Sequence, residues 1–153
     1  RWITILRKRE RFRAVVDGFD FHKVAAYAER DVQRLLADAG IVRHRGKIEA
    51  VVHNAARAIE LQREFGSLSR YFWQYEVDTR ERPNKLTAEV LRGYATAPES
   101  VALSKDLKRR GWKFVGPTTM YAFMQAMGLV NDHQHDCFAR SEVETLRKAF
   151  ARP

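Results

Sequence analysis

One stretch of the sequence decides the fold, and it reads Leu107-Lys-Arg-Arg-Gly111-Trp-Lys113-Phe-Val-Gly116-Pro117-Thr-Thr-Met120. Helix-forming residues flank a short segment that contains glycines, and Pro117 suits the first position of a helix. The pattern predicts a helix that ends at Arg110, a tight turn over residues 111–116 and a second helix from Pro117. Backbone N–H groups and the N-terminus of the second helix would point outward from such a turn, where both favour a phosphate. The alternative is an ordinary helix connection with lysines near its helix end.

Helical periodicity extends through the remainder of the chain. Apolar residues recur at helical spacing, and we find no alternating strand pattern of useful length and no internal repeat. The predicted helices cover residues 2–16, 20–27, 31–39, 47–65, 68–75, 100–110, 117–127 and 142–150. Gly40 suits the left-handed position after one of these helices, and residues 78–98 have the charge and proline content of an exposed loop. The sequence therefore predicts an all-α fold, a compact bundle of short helices in a single domain over residues 1–153.

The composition narrows the classes of function. Lysine and arginine number 28 against 19 acidic residues, and the resulting net charge of +9 attracts polyanions, which makes nucleic acid the first candidate partner. A generally basic, solvated surface is the alternative. No apolar run is long enough to cross a bilayer, and the apolar part of the N-terminus is too short for a secretory signal. Cys137 is the only cysteine, which excludes an internal disulfide and fits a soluble protein of the reducing cytoplasm.

Four blocks of the sequence resemble successive blocks of one known family. They are Gly40-Ile-Val-Arg-His-Arg-Gly-Lys47, Gly111-Trp-Lys-Phe-Val-Gly-Pro-Thr-Thr119, Tyr121-Ala-Phe-Met-Gln-Ala126 and Gly128-Leu-Val-Asn-Asp-His133. Together they resemble the 3-methyladenine DNA glycosylase I family, within the helix-hairpin-helix DNA glycosylase superfamily, and the resemblance runs from Trp2 to about Cys137. The superfamily hairpin commonly reads Gly-Val-Gly-Pro, and Phe114-Val-Gly-Pro117 keeps all but the first glycine.

This resemblance implies a DNA-repair enzyme. Such an enzyme excises 3-methyladenine from alkylated duplex DNA by flipping the base out of the duplex and hydrolysing its N-glycosidic bond. Trp2 matches the tryptophan that stacks on the flipped base, and 3-methyladenine in DNA is cationic, so an aromatic face favours it over neutral adenine. Without the resemblance, Trp2 would be interpreted as a core residue of an amphipathic helix. No lysine or amine is placed for Schiff-base chemistry, which predicts a monofunctional enzyme that leaves an abasic site.

The resemblance also indicates that part of the family's active site is absent from this chain. The chain begins inside a predicted helix without a capping residue, which predicts a missing N-terminal segment. The family's base-binding glutamate, a nearby tyrosine and two zinc ligands have no counterparts, and Arg1 stands where serine is usual. The remaining zinc ligands match His133 and Cys137, whose imidazole and thiolate suit a tetrahedral site. We therefore expect impaired activity and zinc binding; without the resemblance, a buried thiol and an exposed imidazole are the alternative.

Residues in two places are predicted to contact DNA phosphates. The first place is a dense basic turn before the longest predicted helix, formed by Arg43, Arg45 and Lys47. A solvated loop explains these cations equally well. The second place is the hairpin, where the predicted contacts are Lys113, Val115, Gly116 and Thr118. The expected partner is duplex DNA that contains alkylated adenine, bound by a monomer.

The stretch after the hairpin lacks a customary acid. Many helix-hairpin-helix glycosylases have Val-Asp-x-His there, whereas this chain has Val130-Asn-Asp-His133, so Asn131 takes the place of the aspartate. An N3-alkylated purine is already a good leaving group, so the acid is dispensable and a narrow substrate range is expected. Asp132 is interpreted as a helix cap or as a partner of His133.

Other classes of function stay open at the level of sequence. A non-catalytic helix-hairpin-helix DNA-binding module would use the same hairpin and basic turn without chemistry. A basic helical protein-interaction domain would show no salt-dependent affinity for DNA. Either DNA-binding function predicts a steep loss of affinity as the salt concentration rises.

Overall fold

The computed structural model describes residues 2–153, and every regular element in that range is helical. The α-helices are α1 (Trp2–Arg7), α2 (Arg9–Val15), α3 (Phe21–Ala25), α4 (Glu29–Ala37), α5 (Arg45–Phe65), α6 (Leu68–Phe72), α7 (Ala88–Arg92), α8 (Pro98–Arg109), α9 (Pro117–Met127) and α10 (Phe138–Ala149). Short 3-10 turns lie at Asp17–Phe19, Trp73–Tyr75 and Thr79–Glu81. The predicted all-α class is confirmed, and no helix over this range is long and apolar enough to cross a membrane.

The helices group into two compact units. The first contains the described residues up to Glu64 together with Gly111–Phe114, and the second contains Phe65–Arg110 and Val115–Pro153. The single domain over residues 1–153 stays a prediction. The segment Gly111–Phe114 is the first part of the turn predicted over residues 111–116, and we call it the hairpin tip.

The first unit surrounds an apolar core. Its buried residues are Val16, Val24, Val32, Leu35, Ile41, Ile48 and Ala55, with Phe12 of α2 packed against them. Asp20 begins α3 because its carboxylate accepts hydrogen bonds from the N–H groups of His22 and Lys23, at 3.0 and 3.3 Å. This confirms the predicted cap, and the spacing of Ile48 and Ala55 along α5 turns one face of that helix into the core.

Two predictions about the first unit are wrong. The helix predicted over residues 2–16 is interrupted at Lys8, whose ammonium donates hydrogen bonds to the carbonyls of Ala39 and Ile41, at 2.5 and 3.0 Å. Gly40 is not in the left-handed conformation, because the Asp38 carboxylate accepts from its N–H and ends α4 differently. Gly40 is needed for space instead, since a Cβ there would lie 2.6 Å from Cγ of Arg11.

The second unit packs α8 against α9. Buried residues of this unit include Leu103 and Leu107 on α8 and Tyr121 and Met124 on α9. The hydroxyl of Ser104 donates to the carbonyl of Val115 at 2.6 Å and joins α8 to the segment that leads into α9. The predicted helix over residues 117–127 is confirmed with the same bounds.

Two helices of the second unit differ from their predictions. Residues 78–98, which were expected to be a loop, contain helix α7. The Thr87 hydroxyl caps the start of α7 by accepting a hydrogen bond from the N–H of Val90. Five residues are too few for helical periodicity to show in the sequence. Helix α10 begins at Phe138 rather than at residue 142, because the Arg140 guanidinium donates to the carbonyl of His133, at 2.6 Å, and secures the first turn.

Substitution of the two glycines at the ends of α9 tests how much a left-handed backbone conformation contributes to the free energy of unfolding. A Cβ on Gly116 or on Gly128 would meet no atom within 4 Å, but Gly116 has φ −62° and Gly128 has φ +78°. Gly128→Ala should therefore lower the free energy of unfolding by about 1 kcal/mol through backbone strain alone. Gly116→Ala, the control, should change it little. Urea unfolding measures both, and equal effects would contradict the argument.

A hydrogen-bonded cluster around Asp106 stabilises the second unit. The Asp106 carboxylate accepts from the Tyr71 hydroxyl at 2.7 Å, from Nε of Arg110 at 2.6 Å and from Arg109. Burial opposes ionisation of Asp106, but the bonds from the arginines and Tyr71 outweigh it and lower the pKa of Asp106 to about 2. Burial, and then the bond to Asp106, raise the pKa of the Tyr71 hydroxyl.

The lowered pKa of Asp106 gives a pH-dependent stability. Its contribution is complete above the pKa of an unfolded aspartate, about 4, and is lost as the pH falls towards about 2. Asp106→Asn should therefore destabilise the protein most at pH 7, and the difference from wild type should shrink as the pH is lowered to 3. Urea unfolding over this range checks the prediction, with Glu142→Gln, an exposed carboxylate on α10, as control. A difference that is independent of pH would contradict it.

Candidate functional site

The hairpin tip is held by two neighbouring residues of α5. The Asn54 amide donates to the carbonyl of Lys113 at 2.9 Å and accepts from the N–H of Lys113 at 2.9 Å. Nε2 of His53 lies 2.7 Å from the carbonyl oxygen of Gly111. The backbone of the tip is thus fixed, while the side chain of Lys113 is exposed.

Phe114 occupies the place of the first glycine in the Gly-Val-Gly-Pro pattern. Its φ is +59°, in the left-handed region that glycine adopts readily and phenylalanine does not. The backbone shape therefore persists without the glycine. The Phe114 ring is half exposed and meets the His44 ring edge-on, with centroids 6.3 Å apart.

The basic turn before α5 has a more mixed charge than its sequence indicates. Arg45 forms ion pairs with Glu29 and Glu49, at 3.2 and 3.1 Å, so much of its charge is neutralised. Arg43 and Lys47 are exposed. Nδ1 of His44 accepts a hydrogen bond from the N–H of Lys47 at 3.2 Å, which stabilises the first turn of α5. The free positive charge of this turn comes from Arg43 and Lys47.

The start of α9, in the second unit, has the features of an anion-binding helix end. Its N-cap is Gly116, which has no side chain to cap the helix, and no acidic residue lies in the first turn. Thr118 is exposed beside the free N–H groups of that turn. Val115 is buried and its carbonyl accepts from Ser104, so its side chain is not available to a ligand.

Trp2 lies on the surface of the first unit. Its side chain is 79% exposed, and Ile3, Ile5 and Leu6 on the same helix are about half exposed. None of the residues of α1 is buried. The interpretation of Trp2 as a core residue is therefore wrong, and its indole face is open to a ligand.

His133 and Cys137 come together as a pair of metal-ligand type. Sγ of Cys137 lies 3.5 Å from Nδ1 of His133. Two ligands of a tetrahedral zinc ion, with Zn–S near 2.3 Å and Zn–N near 2.0 Å, are expected to lie roughly 3.5 Å apart. The donor types and their spacing fit zinc, although residues 2–153 contain no group of three or more His, Cys, Asp or Glu able to hold a metal. Nδ1 of His135 lies 3.1 Å from the carbonyl oxygen of Leu86 and is not directed to this pair.

Asp132 has a different role from the one predicted. It is neither a helix cap nor a partner of His133. Its carboxylate accepts from Arg82, from the Tyr121 hydroxyl and, at 3.0 Å, from Gln125. The Arg82 and Asp132 side chains are only 12% and 7% exposed, and Arg82 also stacks on the Tyr94 ring at 4.2 Å. Burial and the bond to Asp132 raise the pKa of Tyr121 to about 12.

Asn131 is the residue that contacts the His133 segment. Its Oδ1 accepts from the N–H of His133 at 3.2 Å, and its Nδ2 donates to Glu144 at 2.8 Å and to the Arg140 carbonyl at 3.2 Å. Asn131 is buried, and both ends of its amide are engaged. It therefore fixes the segment that carries His133 and is not a proton acceptor.

The roles of His53, Asn54 and Arg82 were not predicted from the sequence. One signal was available for the first two. They are polar residues that interrupt the apolar pattern Val51, Val52, Ala55 on the longest helix. No comparable signal marks Arg82, which lies in a charged stretch of the predicted loop.

Comparisons with known proteins point to one family. The family model described as methyladenine glycosylase matches residues 1–140. The DNA-3-methyladenine glycosylase 1 of Escherichia coli (strain K12) is 47% identical over 137 residues, which are 89% of this chain and 72% of that protein. The DNA-3-methyladenine glycosylase of Haemophilus influenzae is 41% identical over 137 residues, with the same shares of 89% and 72%.

Solved structures that are similar to this chain come from the same family. The crystal structure of a 3-methyladenine DNA glycosylase I is similar with a TM-score of 0.80 at 44% identity, over 92% of this chain and 76% of that one. A structure concerned with 3-methyladenine recognition by the corresponding protein of Staphylococcus aureus has a TM-score of 0.79 at 35% identity, over 91% and 73%. Helix α10 lies almost wholly beyond the part that the family model matches.

The buried pair of Arg82 and Asp132 can be tested by stability. Asp132→Asn leaves the Arg82 charge buried without its carboxylate and should lower the free energy of unfolding by about 3 kcal/mol. Tyr121→Phe removes only a hydroxyl and should cost about 1 kcal/mol. The control is Asp78→Asn, which breaks the exposed pair of Asp78 and Arg80 and should lower the free energy of unfolding far less, because solvent screens that pair. If Asp132→Asn lowered the free energy of unfolding in urea no more than Asp78→Asn does, the buried pair would not contribute to stability.

Proposed function

Because this chain belongs to the methyladenine glycosylase family, we propose that it is a DNA-repair N-glycosylase that excises 3-methyladenine from alkylated duplex DNA. One observation carries the proposal: the family match spans residues 1–140, which include Trp2, the hairpin tip and the His133–Cys137 pair. We further propose that the protein is a cytoplasmic monomer that binds the damaged duplex and leaves an abasic site.

Each unit, taken by itself, offers groups that contact the phosphates of duplex DNA. In the first unit, Lys113 at the hairpin tip and Arg43 and Lys47 in the basic turn supply exposed cations. In the second unit, the N-terminus of α9 from Gly116 to Thr118 offers backbone N–H groups and the positive end of a helix dipole. In sequence order, α8, the tip and α9 follow one another as the helix, hairpin and helix of the proposed DNA-binding element. These contacts read no sequence, which suits an enzyme that must find damage anywhere.

Base recognition falls to Trp2. The exposed indole stacks on the flipped base, and a cationic ring gains more from that contact than a neutral one. Hydrolysis then breaks the bond between C1′ of the sugar and the base nitrogen, and its electron pair neutralises the departing base. A water oxygen bonds to C1′ and loses a proton to solvent. Asn131 takes no part as a base, since both ends of its amide are engaged.

Zinc would be held by Nδ1 of His133 and Sγ of Cys137 with ligands from elsewhere. When bound, the metal supplies structural stabilisation and no step of the reaction. Asn131 contributes by fixing the backbone of His133, which positions the imidazole for ligation.

Release of free 3-methyladenine from methylated duplex DNA tests the proposal. The protein should release the base, at the reduced rate expected from the sequence, and leave abasic sites that become strand breaks only on later alkali treatment. Trp2→Ala should lower kcat/KM about 30-fold, since a desolvated cation–π contact is worth about 2 kcal/mol. The control Leu146→Ala removes an exposed apolar side chain on α10 and should leave release unchanged.

Other outcomes of this assay would reject the assignment. Binding of the methylated duplex without release would identify a non-catalytic DNA-binding module. Equal rates for Trp2→Ala and wild type would exclude stacking on Trp2. Strand breaks formed without alkali would contradict the monofunctional chemistry.

A further inference from the structure

The hairpin tip contacts α5 through side chains that the chemistry of base excision does not use. We propose that Asn54 and His53 are positioning residues for DNA binding, which hold the tip in the shape that presents Lys113 to a phosphate. This inference rests on the proposed function. It assigns to α5 a role in the affinity for duplex DNA that is separate from recognition of the damaged base.

The hydrogen bonds satisfy backbone groups that no regular element satisfies. The N–H and the carbonyl of Lys113 both pair with the Asn54 amide, at 2.9 Å each, in the manner of one peptide group pairing with another. An asparagine at this position both donates and accepts, which an aspartate or an aliphatic residue cannot do. The adjacent His53 engages the Gly111 carbonyl. Two points of the four-residue tip are therefore fixed from one helix.

The tip needs this support because its conformation is strained. Phe114 follows Lys113 directly and has φ +59°, and Gly111 has φ +83°. A phenylalanine held in the left-handed region persists only when surrounding contacts impose that conformation. Fixing both backbone groups of Lys113 restrains the residue before the strained one, and the His44 ring packs against Phe114 from the other side.

Charge placement connects this geometry to DNA. Lys113 is exposed, and its backbone is fixed to the same helix that carries Lys47 in its first turn. The contact between His44 and Phe114 joins the basic turn to the tip directly. Cations that are already held in position lose less conformational entropy when they contact the phosphates of DNA, which raises the affinity. This gain in affinity does not depend on the identity of the bases.

The test compares substitutions on one helix. Asn54→Leu keeps the size of the side chain and removes both bonds to Lys113. Gln62→Leu makes the same kind of change eight residues further along α5 and is the matched control. Lys113→Gln removes the cation itself. Affinity for an undamaged, fluorescently labelled duplex is measured over a series of salt concentrations, together with melting temperature and single-turnover release of 3-methyladenine at saturating methylated DNA.

We expect Asn54→Leu to weaken binding about tenfold, because two modest net hydrogen bonds that shape the tip are lost. The salt dependence of log K should keep its slope, whereas Lys113→Gln should reduce the slope by about one. Gln62→Leu should bind as wild type does. Release at saturating DNA should keep its rate in Asn54→Leu, so the change lies in KM. His53→Phe, which removes only the bond to Gly111, should weaken binding less in the same direction.

Distinct results separate the two proposals. If wild type binds duplex DNA with a steep salt dependence and both Asn54→Leu and His53→Phe bind equally well, the positioning role is overturned and the proposed function stands. A parallel fall of melting temperature, affinity and saturating rate in both variants also overturns it, since that pattern indicates general support of the fold. If wild type neither binds duplex DNA nor releases base, the proposed function itself fails.

Discussion

The Asn54 side chain pairs with both backbone groups of Lys113, and the shape of the hairpin tip depends on this contact. The hairpin tip makes no helical hydrogen bonds of its own, so its polar groups need partners from elsewhere. Helix α5 provides them because its core face is anchored by Ile48 and Ala55. Apolar burial thus fixes helix α5, α5 fixes the backbone of the hairpin tip, and the tip fixes the position of the exposed Lys113.

In the second unit, the buried ion pair of Arg82 and Asp132 joins distant parts of the chain, as the Asn54 amide does in the first unit. Arg82 and Asp132 are nearly inaccessible to water, and a pair taken out of water is useful only when its remaining hydrogen-bonding capacity is met. Tyr121 and Gln125 meet it on the carboxylate, whereas Nε of Arg82 is buried without a hydrogen-bond partner and the guanidinium lies over the Tyr94 ring. A substitution that removes either member of the pair leaves the other charge buried and lowers the free energy of unfolding. Its effect is to tie the segment after α9 to the loop that precedes α7.

Local chemistry explains which features the sequence could predict. Pro117, Gly128 and Asp20 act within a few residues, so the bounds of α9 and the start of α3 follow from the sequence alone. The break at Lys8 depends on carbonyls more than 30 residues away, at Ala39 and Ile41. Asn54 and Lys113 are separated by 59 residues, and Arg82 and Asp132 by 50. Such contacts leave no periodicity, so most of the helices were predictable, whereas the break at Lys8 and the partners of Lys113 and Asp132 were not.

The environment of Asn131 bears on substrate choice under the proposed function. Its amide is engaged by Glu144, the Arg140 carbonyl and the N–H of His133, so this position offers neither a carboxylate nor a transferable proton. A neutral purine needs protonation before it can leave, whereas an N3-alkylated adenine already carries the positive charge that the electron pair of the broken bond neutralises. The indole of Trp2 favours that same charge during binding. Binding and bond cleavage therefore both favour a base that carries a positive charge. Because position 131 has no acid to protonate a neutral purine, the site is specific for the charged base.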